Sequence, residues 1–147
     1  MDFAREHYHI TFCPLTVTFT VLEPFFYAYN AQSFGYLAKN ATFSEEITHR
    51  GTADADPKFY FIFSTGSAVT AITLTNPDTT TLVISNTFAI NDVLIIDAGE
   101  KIVTKNGTEI DYTGVFPSFT PGSNPFTFTI TGAVLVDVTA IVPKNYL

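Results

Sequence analysis

Residues 91–107, NDVLIIDAGEKIVTKNG, constrain the fold of this 147-residue chain more than any other stretch. Two apolar segments are joined there by a short acidic turn, and the stretch ends on Asn106-Gly107. Asn-Gly is a strong hairpin signal because both residues accept a positive φ. Residues 93–96 are apolar at every position, with Val93 and Ile95 on one face and Leu94 and Ile96 on the other. This predicts a central strand covered on both sides, with Val93 and Ile95 in the core. Asp97, Ala98, Gly99 and Glu100 should reverse the chain, Gly99 supplying the positive φ. Residues 101–105 alternate, Ile102 and Thr104 against Lys101, Val103 and Lys105, and should return antiparallel.

The rest of the chain repeats this grammar. Residues 10–22, ITFCPLTVTFTVL, alternate threonines with apolar residues. Pro14 puts this strand at an edge or delays its start, because proline cannot donate to a ladder. Glu23-Pro24 breaks it, and Phe25, Phe26 and Tyr27 follow as an apolar anchor. Residues 28–39 have no clear period. Short strands are expected over 41–49, 58–64 (KFYFIFS, aromatic on both faces and so buried), 69–75, 80–85, 126–130 and 134–142. Asn76-Pro77-Asp78 makes a turn, and Glu109 to Tyr112 should pair with the central hairpin. RGTADADP at 50–57 and residues 114–125 read as loops. Phe126, Phe128 and Ile130 should point inward, as should Phe59, Phe61 and Val136. About nine strands with no convincing helix predict an all-β sandwich.

Composition narrows the function. Hydrophobic residues make up 46% and charged residues only 14%, with 15 Phe and no Trp, so aromatic strands dominate. Seven Lys and Arg against 14 Asp and Glu give a net charge of -7. Phosphate neutralisation needs the opposite balance, so no nucleic-acid partner is expected. An anionic membrane surface is disfavoured for the same reason. No apolar run approaches the roughly 18 residues of a spanning helix, so no membrane insertion is expected. Cys13 is the only cysteine, which excludes an internal disulfide and points to a reducing assembly environment. Met1 is followed by Asp2 and Glu6 rather than a basic region, so no signal peptide is expected.

Candidate chemistry is thin. His7 and His9 share one strand face, as metal ligands can, but His49 is the only other histidine and no complementary pair exists. Asp54, Asp56, Asp78, Asp92 and Asp97 sit in loops and turns. None follows the order of a calcium loop, and turn formation explains them better. Glu45, Glu46, Glu100 and Glu109 offer no pair that stands out as a glycosidase couple. No nucleophile motif is present. Neither catalytic residues, cofactor nor metal are therefore expected, and the protein reads as a non-enzyme. Tyr29, Tyr36, Tyr60 and Tyr112 are available to stack on sugars, although Trp is missing. Asn40-Ala41-Thr42 and Asn106-Gly107-Thr108 match the N-glycosylation pattern by chance in a Thr-rich chain.

Four stretches together resemble the C-terminal domain of the distal tail protein (Dit) family of long-tailed bacteriophages. Residues 17–27, VTFTVLEPFFY, are similar to the strand and Pro-aromatic step at which that family leaves its ring domain. Residues 50–61, RGTADADPKFYF, are similar to a Gly-Thr, Ala, Pro entry into a strand. Residues 91–107 are similar to a "GD-x-L-x-ID … V-T-x-NG" hairpin, with Asn91 where Gly is usual. Residues 116–124, FPSFTPGSN, are similar to an "FP-x-L-x-PG-x-N" loop. The resemblance implies a galectin-like jelly-roll sandwich over residues 25–147. It makes residues 1–24 the last strand and linker of a ring-forming domain otherwise missing. It also implies a virion structural protein of the tail tip, made in the bacterial cytoplasm. Its partners would be other tail or receptor-binding proteins, in a family that assembles as hexameric rings. The rival from another class is a carbohydrate-binding module that aids adhesion to a host surface glycan.

Overall fold

A computed structural model describes residues 26–27, 32–39, 42–66, 69–132, 134–143 and 145–146. The strand expected over 10–22 and the break at Glu23-Pro24 lie outside them. The described residues form β1 (Phe26–Tyr27), β2 (Gln32–Lys39), β3 (Thr42–His49), β4 (Lys58–Gly66) and β5 (Val69–Thr75). Then come β6 (Thr81–Phe88), β7 (Val93–Asp97), β8 (Ile102–Lys105), β9 (Thr108–Glu109) and β10 (Thr113–Gly114). β11 (Gly122–Thr131), β12 (Val134–Val142) and β13 (Asn145–Tyr146) complete the order, with no helix among the described residues.

Two antiparallel sheets build the sandwich. One has the order β10-β6-β5-β11-β3 and the other β2-β12-β4-β7-β8-β9, while β1 and β13 pair separately. The hairpin of β7 and β8 is antiparallel as expected, with Leu94 opposite Lys105 and Asp97 opposite Ile102. Asn106 and Gly107 both take positive φ, 50° and 81°, as a two-residue hairpin turn requires. After β9 the chain leaves this sheet, and Thr113 pairs with Val83 in the other one. The expected pairing of residues 109–112 with the hairpin holds at Glu109, opposite Thr104, and at Ile110, whose N–H donates to Val103 O at 2.9 Å, before the chain crosses over.

Aromatic rings from both sheets meet between the layers. Phe59 and Phe61 of β4 contact Phe128 of β11 edge to face, at 5.6 and 5.8 Å between centroids. Phe63 stacks on Phe88 of β6 at 4.9 Å. Phe59, Phe61, Phe63, Phe128 and Val136 are fully buried, and Phe126 and Ile130 nearly so. Each such ring contributes about 1.5–3 kcal/mol through removal from water.

The expected phase of β7 is corrected. Leu94 and Ile96 are fully buried, whereas Val93 and Ile95 are only half-buried on the outer face. β7 has hydrogen-bonded neighbours on both sides, yet the domain has two layers, so only one face is covered by the core. The same holds for β4, where Ile62 is 47% exposed. The turn after β7 also differs from expectation. The positive φ belongs to Lys101, at 58°, and not to Gly99.

Three further boundaries differ. Residues 32–39, which have no period, form β2 because β12 supplies a ladder partner, with one register shift between Val136 and Val138. The stretch 114–125 is not all loop, since β10 ends at Gly114 and β11 begins at Gly122. β6 runs on to Phe88, three residues past the expected end, pairing Val69 with Phe88.

Candidate functional site

The stretch around 91–107 is held by a clasp of polar side chains. Asp92 stands just before β7 and Asn106 just after β8. The Asn106 Nδ2 donates to Asp92 Oδ1 at 2.7 Å, and Val93 N donates to Asn106 Oδ1 at 2.8 Å. Asp92 Oδ2 accepts Ala89 N at 2.8 Å and pairs with Lys105 Nζ at 3.1 Å. Lys105 also donates to Thr87 O at 2.5 Å and lies over the Phe88 ring. The Ala89 N–H, the Asn106 amide and the Lys105 ammonium hold the Asp92 carboxyl below the usual carboxylate range. Asn91, at φ 68°, occupies the left-handed region that Gly and Asn tolerate best. Asn91, Asp92, Lys105 and Asn106 thus shape this end of the hairpin.

The other signature residues behave alike. Asp97 Oδ1 accepts the N–H groups of Gly99 and Glu100, each at 3.2 Å, while Oδ2 pairs with Lys58. Burial pushes this carboxyl up, but the Lys58 ammonium and the two N–H groups outweigh it and the net shift is downward. Asn124, 1% exposed, accepts Thr120 N and donates to the carbonyls of Thr120 and Gly122. Ala55 and Phe119 exchange two backbone hydrogen bonds, which fastens the 50–57 loop to the 116–124 loop. These residues fix loops and turns.

Surface chemistry divides by sheet. Outward from β4, β7 and β12 stand Tyr60, Ile62, Val93, Ile95, Leu135 and Ile141, all half-buried or exposed. The register places Tyr60 opposite Ile95 and Ile62 opposite Val93. These four form an apolar patch on β4 and β7, flanked on β12 by Asp137 opposite Ile62 and Thr139 opposite Tyr60. The outer face of the other sheet carries Ser44, Thr73, Thr75, Thr127 and Thr129, with Ser44 and Thr127 hydroxyls 2.7 Å apart. Two larger grooves lie beside these faces. One, about 380 Å³, is lined by Lys58, Tyr60, Asp97 and Ile141 among others. The other, about 280 Å³, is lined by Asp54, Asn76, Asp78, Phe116 and Thr120 among others.

The sequence candidates fall in scattered places. His7, His9, Tyr29 and Asn40 lie outside the described residues, and for Tyr36 only the backbone strand is described. His49 is buried, with Nε2 2.8 Å from Ala53 O. Among the described residues no group of three or more His, Cys, Asp or Glu could hold a metal. Asp54 and Asp78 share a groove, Asp56 pairs with Lys101 at 3.7 Å, and Asp92 and Asp97 are clasps. Glu45 and Glu46 are neighbours on β3 and face opposite sides; Glu100 sits in a turn and Glu109 on β9. Tyr60 lines the 380 Å³ groove and Tyr112 a separate cavity of about 100 Å³. Tyr112 donates to Lys101 O and packs its ring on Phe116, which makes it a brace for the crossover between sheets. Asn76 and Asn124 carry no sequence signal beyond a turn and a loop.

Comparisons with known proteins agree with this architecture. The family described as "Siphovirus-type tail component, C-terminal domain" matches residues 50–140, well over half of the chain. Three of the four signature stretches fall inside that match. No curated protein matches the chain. Among solved structures, the crystal structure of SPP1 Dit superposes with a TM-score of 0.60 at 16% identity. That protein is described as a paradigm of the hub adsorption apparatus in phages infecting Gram-positive bacteria. That likeness covers 86% of this chain and 50% of the SPP1 chain, so this chain spans about half the length of that one. At such low identity the likeness concerns the fold.

Proposed function

Because the chain belongs to the siphovirus-type tail components, through their C-terminal domain, we propose that it is a structural part of a phage tail-tip hub. It acts without catalysis, by offering rigid sandwich surfaces to neighbouring tail or receptor-binding proteins. It resides in the virion at the distal end of the tail. Assembly into rings follows from the family resemblance and depends on a ring-forming domain.

The observation that carries this reading is the contrast between the two kinds of residue in the hairpin. The polar signature residues, Asp92, Asp97 and Asn106, are consumed in clasping turns. Facing outward on β7 and the adjoining β4 is the apolar patch of Tyr60, Ile62, Val93 and Ile95. A stiff sheet with an apolar outer patch suits a protein contact better than chemistry. The test is co-purification of tagged chain with tail proteins from phage-infected cells. Ile62→Asp should lower recovery of those proteins while leaving the melting temperature unchanged. Equal recovery with wild type and variant would place the contact elsewhere, and no tail protein recovered with either would refute the hub role.

A further inference from the structure

We propose that Asn106 is a site of spontaneous modification, a deamidation that the clasp with Asp92 holds back and whose product unlocks the hairpin of β7 and β8. Asn106 precedes Gly107, and no other asparagine of the chain precedes glycine. The reaction has three requirements. The next residue needs a free backbone nitrogen, that nitrogen needs room to swing in, and the side-chain amide must be able to turn toward it. The first two are met. The Gly107 N–H donates to no group among the described residues. Asn106 and Gly107 are both exposed, and no atom beyond the chain neighbours lies within 4 Å of where a Cβ would stand on Gly107. Asn76 and Asn124 differ, since each precedes a proline, which has no N–H to attack with.

The third requirement is withheld by the fold. Asn106 Oδ1 accepts Val93 N at 2.8 Å and Nδ2 donates to Asp92 Oδ1 at 2.7 Å, so both ends of the amide are taken. Asp92 is itself anchored by Ala89 N at 2.8 Å and by Lys105 Nζ at 3.1 Å. The main chain is tied as well, through Asn106 N to Val93 O at 2.8 Å. With φ 50° at Asn106 and 81° at Gly107, the turn is of the mirror-image type I class. Ring closure needs a large rotation about the Asn106 Cα–C bond out of that turn, and the amide cannot follow until its two hydrogen bonds break. Once they do, the Gly107 nitrogen attacks the amide carbon. Its proton ends on the departing amide nitrogen, which leaves as ammonia, and a five-membered imide forms. Water adds to either imide carbonyl and yields aspartate or isoaspartate at 106; water is the one co-reactant. The product cannot rebuild the clasp. A carboxylate stands where Nδ2 donated and meets the Asp92 carboxylate, and like charges at that distance repel. Isoaspartate also inserts a main-chain atom into a two-residue turn, whose length sets the register of its strands. The modification is therefore a one-way loosening of the hairpin as the protein ages.

This goes beyond the hub role and stands or falls separately from it. The test incubates the folded full chain at neutral and mildly alkaline pH. Mass spectrometry follows residues 101–109, released by cleavage after Glu100 and Glu109, and enzymatic isoaspartate labelling gives a second readout. A free peptide of the same residues and wild-type protein unfolded in urea are the unclasped references. Asn106 should convert about tenfold or more slowly in the folded protein than in either reference, as two hydrogen bonds must break first. Asp92→Ala should convert about three- to tenfold faster than wild type, the effect of losing one such bond. Asp97→Ala, which frees the other end of the hairpin, should keep the wild-type rate. Thermal unfolding verifies that each variant is folded, and Asp92→Ser replaces Asp92→Ala if that one is not. Converted protein, separated by ion exchange, should unfold at lower urea than unconverted protein. Equal rates in folded protein and free peptide overturn the inference. So does a wild-type rate in the Asp92 variant, an equal acceleration in Asp97→Ala, or an unchanged midpoint after conversion.

Discussion

Asn106 and Asp92 are 14 residues apart in the chain and 2.7 Å apart in space. Their contact ties the entrance of β7 to the exit of β8, so the hairpin is closed at its open end by side chains as well as by its ladder. Asp92 also accepts the N–H of Ala89, and Asn106 that of Val93. The hairpin and the end of β6 are therefore one polar unit.

Breaking that unit should cost more than a surface substitution. Asp92→Ala and Asn106→Ala are each expected to lower stability by about 1–2 kcal/mol, through lost hydrogen bonds. Asn106→Ala carries an added cost because it holds φ 50°. In the double variant the losses should fall short of additive, since both remove the same bond. Chemical denaturation of the four proteins measures this, and full additivity would show that the two residues act independently.

Acid should unfold the protein through the same residues. The carboxyls of Asp92, Asp97 and Asp78 are all held below their ordinary value. A carboxyl with a depressed folded-state pKa stabilises fully above the unfolded value of about 3.9. That stability drains away as pH falls through the lower, folded value, because the unfolded chain binds protons first. Lys58 is raised above 10.5, chiefly by its hydrogen bond to Asp97, so its share is lost only as pH rises beyond that point. Denaturation midpoints should be flat near neutrality and drop below about pH 4. Asp97→Asn should flatten the acid limb, and an unchanged limb would mean that Asp97 is not a source of it.

Core and outer face should separate cleanly on β4. Phe61 is fully buried against Phe128, and Phe61→Ala should cost about 3–5 kcal/mol. Its neighbour Ile62 is 47% exposed, and Ile62→Ala should cost less than about 1 kcal/mol. A reversed order in urea midpoints would mean that the strand faces the other way.

The reach of sequence reasoning differs between strands for physical reasons. β11 and β12 alternate bulky and polar or small residues, so their inward faces, Phe126 and Phe128, Val136 and Val138, are legible, whereas β4 is bulky on both faces, Tyr60 and Ile62 alternating with Phe59 and Phe61. Residues 93–96 are apolar throughout and carry no phase of their own. Their phase comes from the partner strand, where Phe61 lies opposite Leu94. The start of β11 was hidden by Pro125, which disfavours a central strand. Pro125 lies opposite Glu46 of β3, while the pairing with β5 begins only at Thr127, so it occupies a stretch partnered on one side. The signature motifs mark the fold in sequence, but only coordinates reveal that Asp92, Asn106 and Asn124 hold turns. The groove at Asn76 was invisible because it joins residues 39 apart, Asn76 and Val115.

The boundary placed at Pro24 leads to a further expectation. If residues 1–22 belong to a ring-forming unit, deleting them should leave cooperative thermal unfolding intact and reduce self-association. Calorimetry and sedimentation of the truncated chain examine both. Loss of the cooperative transition would make the segment integral to the sandwich.

The account rests most heavily on a place in the virion. Immunogold electron microscopy of particles purified from the phage that encodes this protein tests it directly, with antibody raised against residues 50–140. The account predicts gold at the distal end of the tail. Gold on the capsid or along the tail shaft, or particles that lack the protein altogether, would contradict it.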